Sequence, residues 1–370
     1  MKIGLVIYGS LDTMSGGYLY DRQLVAYLRA QGDTVEIISL PWRNYLAHLT
    51  DNFRFRLPAG LDVLIQDELN HPSLLAANSG SHPYPVISLV HNLRSAEPRP
   101  AWQNAIYRPV ERRYLNSVDG FIFNSETTRD SVHALSGSER PYVIATPGGD
   151  RLGSMDPEFI RARAAEPGPL RLVFLASVTP LKGLHVLLRA ISARRIAVSV
   201  AVIGSLTVDP GYAREMQRYV VDHDLSSAVH FRGILDGDAL AERLKTAQVV
   251  VIPSSYEGFG ISYLEGMAFG LPAIGTTAGA IPQLITDGEN GYLIAPGDSE
   301  MLAQRLQGLA SDRGLLTRLS LNARRRFDDF QTWEAMGRKI RDFLSRVVQG
   351  EFRAGPAEEP QKPQTPRTGD

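Results

Sequence analysis

The sequence predicts two α/β domains, each a doubly wound parallel sheet. Three observations carry that prediction. Short β-branched runs alternate with segments of helical period along most of the chain. A proline- and glycine-rich break, Ala164-Ala165-Glu166-Pro167-Gly168-Pro169, divides the alternation near its middle. The length, 370 residues, at roughly 150 residues per domain, leaves room for two cores.

The elements follow in order. Ile3–Tyr8 is an apolar run that reads as a strand. The loop after it ends in Gly16-Gly17. Tyr20, Leu24, Tyr27 and Leu28 then recur at spacings of three and four, the apolar face of a helix. Gly32 follows, where a left-handed cap is wanted. Val35–Leu40 is the next strand. A strand, a helix and a strand at this spacing form a βαβ unit and hence a parallel sheet. Further strand-like runs are Val63–Ile65, Val86–Val90, Phe121–Phe123 and Tyr142–Ala145. Beyond the break come Leu172–Ala176, Ile196–Ile203, Val249–Ile252, Pro272–Ile274 and Gly291–Ile294, with helical segments between. The expected division is 1–166, 167–328, a helix over 329–350, and a disordered tail, 351–370, with four prolines and almost nothing apolar.

Composition narrows the function classes. The hydrophobic fraction of 44% and charged fraction of 21% are globular values. The net charge of −1, from 39 basic and 40 acidic residues, gives no support for a nucleic-acid coat. The absence of cysteine excludes disulfides, thiolate metal sites and cysteine nucleophiles. The apolar run at the N-terminus is too short for a signal peptide, and no stretch approaches the ~20 apolar residues of a membrane span. The expectation is a cytoplasmic protein.

In open parallel sheets, ligands bind beyond the carboxyl ends of the strands. That rule selects Gly16-Gly17, His91-Asn92, Asn124-Ser125-Glu126, Ser177 to Lys182-Gly183, Gly204, and Pro253 to Gly260. Two such sheets facing each other would gather these loops around one cleft. The most informative stretch is Glu257 to Glu265. Gly258 and Gly260 permit tight turns and leave N–H groups uncovered. A helix starting near Gly260 would point its positive end into the cleft, which suits a diphosphate. Glu257 precedes that helix. Glu265 lies five residues beyond its start, roughly 7 Å along the axis, placed to accept hydrogen bonds from a ribose diol. Phosphate, sugar and ribose groups so arranged describe a nucleotide sugar.

The segment Glu257-Gly-Phe-Gly-Ile-Ser-Tyr-Leu-Glu265-Gly-Met-Ala-Phe-Gly-Leu-Pro resembles the Glu-x7-Glu motif of the family-4 retaining glycosyltransferases. Gly16-Gly17, Asn124-Ser125-Glu126, Pro180-Leu-Lys182-Gly183 and the block Asp287 to Asp298 resemble further motifs of that family, in the same order. Gln331-Thr-Trp333 resembles the opening of the family's helix that crosses back to the first domain. The resemblance covers roughly residues 1 to 348. It implies GT-B architecture, with two Rossmann-like domains facing across a cleft. It also implies a retaining, metal-independent hexosyl transfer from a nucleotide diphosphate sugar, UDP-glucose-like as a first expectation, to an acceptor hydroxyl.

The resemblance further assigns roles. Glu257 would meet donor-sugar hydroxyls, and backbone amides near Phe259, Gly260, Ile261 and Ser262 would meet sugar and phosphate. Glu265 would hold the ribose, and Lys182 would neutralise the diphosphate. Gly16 and Gly17 would let the first loop approach the phosphates, His91 would lie beside the transferred sugar, and Arg232 at the edge of the base pocket. No metal and no cofactor beyond the donor are implied. The acceptor stays open among lipid, glycan and small metabolite, with at most peripheral membrane contact and no nucleic acid. The chain departs from the family at Ser177, where an arginine is usual, and at Ala280 and Gln283, where glycine and glutamate are usual. Two alternatives stay open: a nucleotide-sugar epimerase of the same fold, and a non-catalytic nucleotide-sugar binder.

Three other features have plainer readings. Asp236-Gly237-Asp238 invites a metal, but Asp238 reads as a helix N-cap. Gly258-x-Gly260 lacks the third glycine of a dinucleotide fingerprint. Arg108, Glu111, Arg112 and Arg113 share a helical segment with Trp102, Ile106 and Tyr107. That segment could dock on anionic lipid; a solvated face is the plainer reading.

Overall fold

The computed structural model describes residues 1–352. It contains two six-stranded sheets, every strand pair parallel. The first holds β1 (Lys2–Tyr8), β2 (Thr34–Leu40), β3 (Val63–Asp67), β4 (Val86–Val90), β5 (Gly120–Phe123) and β6 (Tyr142–Ile144), in spatial order β2-β1-β3-β4-β5-β6. The second holds β7 (Leu170–Leu175), β8 (Val198–Ile203), β9 (Val229–Gly233), β10 (Val249–Val251), β11 (Ala273–Thr276) and β12 (Gly291–Ile294), ordered β12-β11-β10-β7-β8-β9. The α/β reading and the GT-B architecture are those expected. Burial explains the strand composition: β3, β4, β5 and β10 are covered on both faces, and apolar residues dominate them.

The sequence reading missed β9. Its residues Val-His-Phe-Arg-Gly lie at the sheet edge, and four of the five are only partly buried or exposed. An edge strand needs no continuous apolar run, so neither periodicity nor hydrophobicity betrays it.

The helix Gly16–Ala30 packs its Tyr20, Leu24 and Leu28 against β1 and β3 residues, as the spacing predicts. Gly32 adopts φ +81° just past its end. The helix Pro157–Ala165 lies before the expected division at 166/167, yet it packs with the second sheet. Ile160 fills the space beside Gly270. Arg163 donates to the carbonyls of Phe269 (2.8 Å) and Gly270 (3.0 Å). The chain therefore crosses between the sheets at residues 145–156, ahead of the proline-glycine break. It returns at residue 333: the helix Trp333–Val348 buries Trp333, Met336, Ile340 and Leu344 in the core of the first sheet. The two crossings touch, and a Cβ on Gly148 would fall 2.2 Å from Trp333 N. Glu351 and Phe352 form a turn after this helix; the remainder of the expected tail lies outside the described residues. Among the described residues, no helix is long and apolar enough to cross a membrane.

Candidate active site

The carboxyl edges of the two sheets face one cavity of about 380 Å³. Its floor on the second-domain side is the loop after β10. The helix Ile261–Ala268 starts from Gly260, whose φ of +103° only glycine adopts without strain. Tyr263 Oη donates to Ile252 O and ties this helix to its strand. Across the cavity, the helix Gly16–Ala30 begins at Gly16, and a Cβ there would lie 3.8 Å from Ile261 Cδ1. Two helix N-termini thus converge, and their unpaired N–H groups and dipoles favour an anion between them.

Two ion pairs flank that point. Lys182 Nζ donates to Glu257 Oε1 at 2.7 Å. Ser255 N donates to Leu181 O at 2.8 Å, which couples the lysine loop to the Glu257 loop. Arg151 donates from Nε (3.1 Å) and one terminal nitrogen (2.7 Å) to Glu265 Oε1, and from the other to Asp236. Burial pushes the Glu265 carboxyl up, and Arg151 opposes that push. Burial alone would lower the Arg151 guanidinium, but Glu265 and Asp236 hold it above its usual range.

The first domain supplies the opposite wall. His91 follows β4, and its Nε2 donates to the fully buried Asp21 Oδ1 at 3.0 Å. Tyr20 packs edge-on against its ring at 5.1 Å, and Gly17 backs it. Burial alone would lower the imidazole; the charge and hydrogen bond of Asp21, with Asp67 and Glu68 nearby, hold it above the usual histidine range. Asp67 itself is pushed up to about 7 by burial and by the Asp21 charge. Asp21, Asp67 and His91 each offer a ligand-type atom within 4.8 Å of the others, as do Glu68, His71 and Glu111 deeper in the first domain. Among the described residues, these are the groupings with the chemistry to hold a metal ion.

The two walls touch. Ser125 Oγ donates to Gly258 O at 2.8 Å, while Asn124 Nδ2 braces the first-domain side by donating to His91 O at 2.8 Å. A Cβ on Gly258 would stand 2.1 Å from His91 O. Gln283 Nε2 donates to Thr127 Oγ1 at 2.8 Å, so the residue in place of the usual glutamate bridges the domains.

The expected residues Gly16, Gly17, His91, Ser177, Lys182, Glu257, Phe259, Gly260, Ile261, Ser262 and Glu265 all line this cavity. Arg232 does not. It is exposed on β9, and the wall there is made by Ile234, Leu235 and Asp236. The expected cap at Asp238 is also displaced. Asp236 is the N-cap, accepting from Gly237 N at 2.8 Å, and Gly237, at φ +53°, opens the helix two residues before the expected start at Ala239. Sequence reasoning missed Arg151 and Asp21. Arg151 follows Gly148-Gly149-Asp150, a glycine pair at the carboxyl end of β6, and the strand-end rule applied there would have flagged it. Asp21 carried a signal too: a carboxylate on the apolar face of an otherwise amphipathic helix.

Residues 156–326 match the family model of group 1 glycosyl transferases. The match covers the second sheet and the whole Glu257–Glu265 stretch. Over 168 residues the chain is 33% identical to the MMP alpha-(1->4)-mannosyltransferase of Mycolicibacterium hassiacum, covering 45% of this chain and 40% of that protein. The chain spans about half, or less, of the length of the curated relatives it matches. Similarity of fold extends further. The sucrose-phosphate synthase of Thermosynechococcus elongatus superposes with a TM-score of 0.79 at 20% identity, over 94% of this chain and 99% of that one. The Anabaena HepE protein, solved in complex with UDP and glucose, gives 0.72 at 18%, over 93% and 99%.

Proposed function

We propose that this protein is a retaining glycosyltransferase that moves a hexosyl group from a nucleotide diphosphate sugar to an acceptor hydroxyl. The observation that carries this reading is the convergence of two helix N-termini with Lys182, Glu257 and Glu265 at one cavity. A diphosphate fits between the helix ends, with Lys182 as its counter-ion. Glu265 accepts from the ribose hydroxyls, exchanging part of its Arg151 contact for them. Glu257 orients the donor sugar. UDP-glucose is the first donor to try, in keeping with the UDP and glucose of the similarly folded HepE protein.

In the reaction, the bond from the anomeric carbon to the β-phosphate oxygen breaks. The acceptor oxygen bonds to the same face of that carbon, and its proton passes to the departing phosphate oxygen. The chain's task is then positioning and charge stabilisation. Ser177 offers no charge, so Lys182 and the helix ends carry the leaving-group stabilisation. Arg151 is a second cation in the same cavity, within reach of Glu265.

A thermal-shift panel of nucleotide diphosphates and their sugars tests donor binding. A ligand at a hundred times its dissociation constant should stabilise by about 2.7 kcal/mol. Proton NMR of the product then tests the stereochemistry. The expected product keeps the donor's anomeric configuration. Inversion, or free epimerised sugar nucleotide without acceptor, would overturn the reading.

A further inference from the structure

The helix Ala101–Leu115 is inside out. It buries Glu111 completely beside Tyr114 and Leu115, and it exposes Trp102 (66%) and Ile106 (44%). Trp102, Ala105, Ile106, Pro109, Arg112 and Arg113 share one exposed face at helical spacing. A neighbouring segment repeats the pattern. After β2, Trp42 (63%), Leu46 (67%) and Phe53 (81%) are exposed. The two segments are joined: the Tyr45 and Tyr107 rings stand 4.5 Å apart, and the Arg94 guanidinium covers both at 5.2 and 4.9 Å. Trp42 packs edge-on against Tyr8, the last residue of β1. The surface therefore lies at the carboxyl edge of the first sheet, the edge that also bears the cavity.

Its charge is one-sided. Arg54, Arg56, Arg108, Arg112 and Arg113 are exposed and, among the described residues, form no ion pair. The acids nearby are withdrawn: Asp51 and Glu111 are buried, and Glu97 pairs with Arg99. Isolated exposed hydrophobics need no explanation, but five large ones interleaved with five unpaired arginines do.

We propose that this face docks on a membrane surface rich in anionic lipid and so presents the cavity to an acceptor carried at that surface. Exposed tryptophans suit the headgroup level, and the apolar side chains enter the acyl boundary while arginines meet lipid phosphates. A second copy of the chain is the wrong occupant. A two-fold contact would set this face against itself, arginine against arginine, with no exposed acid to compensate. The membrane claim rests on the transferase reading only for what it says about the acceptor. Vesicle binding needs no sugar donor, so the two can fail separately.

The test is co-sedimentation of the full chain with vesicles of phosphatidylcholine alone and of an equal mixture of phosphatidylcholine and phosphatidylglycerol. Binding is expected to the anionic vesicles only and to weaken with salt. The pairs W102S/I106S and R112Q/R113Q, all exposed positions away from the cavity, should each weaken it by about tenfold or more while the thermal midpoint is unchanged. Equal binding to neutral vesicles, no binding at all, or unaltered binding by both variants would overturn the proposal. So would a dimer in sedimentation velocity that dissociates in W102S/I106S.

Discussion

The two walls of the cavity are built on opposite plans. The second-domain wall rises from an almost wholly apolar core whose buried charged side chains are Arg163 and Glu265. Its ionisable groups meet in two small sets, Lys182 with Glu257 and Arg151 with Glu265 and Asp236. Behind the first-domain wall, Asp21, Asp67, Glu68, His71 and Glu111 are buried together. There, burial pushes Glu68 up to about 8 and Glu111 up to about 7, while His71 falls to about 4. One wall fixes charges by pairing them. The other holds groups whose charge is set by low dielectric and by one another.

The two walls are most sensitive to substitution where they touch. G258A places a methyl group against His91 O, so the walls must separate. Turnover should fall by about a hundredfold or more, since a misplacement of about 1 Å suffices for that. Steady-state kinetics and a thermal midpoint on the same protein separate this from misfolding. Next come K182A and E257A. Each should lower kcat by about tenfold to a hundredfold with the fold intact, and wild-type rates in either would remove that residue from the site.

R151A sharpens the comparison on the paired wall. It leaves Glu265 buried without its partner, and stability measured by denaturant unfolding should drop by about 3 kcal/mol. Adding E265Q should recover most of that loss, because no lone carboxylate then remains. On the tunable wall, D21N probes pH dependence. The folded His91 is held above its unfolded value of about 6.5. Its stabilisation by Asp21 is therefore complete below that value and is lost as pH rises through the folded one. Asp67, held up to about 7, loses stability in the same direction at lower pH; the window that reports His91 opens at about 6.5 and runs upward through its raised folded value. The stability gap between wild type and D21N should shrink there. A gap independent of pH would show that Asp21 matters only for packing.

The same contrast explains what the sequence disclosed. The paired wall was legible because it is local: Gly258, Gly260, Glu257 and Glu265 lie in nine consecutive residues, where strand end, glycine turn and helix start are read together. Most of the fold was legible for a similar reason, since buried parallel strands are continuous apolar runs. Arg151 meets Glu265 and Asp236 only through tertiary packing, across sequence separations of 114 and 85 residues. No local pattern encodes such a meeting. The buried network of the first domain was illegible because its polar residues look like surface. Glu111, read with Arg112 and Arg113 as part of a solvated face, is fully buried, and Trp102 and Ile106 of the same helix are the exposed residues.

In the proposed reaction, the paired wall holds a nucleotide diphosphate through Lys182 and Glu265. Isothermal calorimetry of the nucleoside diphosphate selected by the donor panel, against wild type, K182A and E265Q, tests it most directly. The expected result is one site in the wild type and a dissociation constant raised about tenfold or more in each variant, in line with a lost charge-assisted contact. Equal affinity in all three proteins, or no binding by a folded wild type, would contradict it.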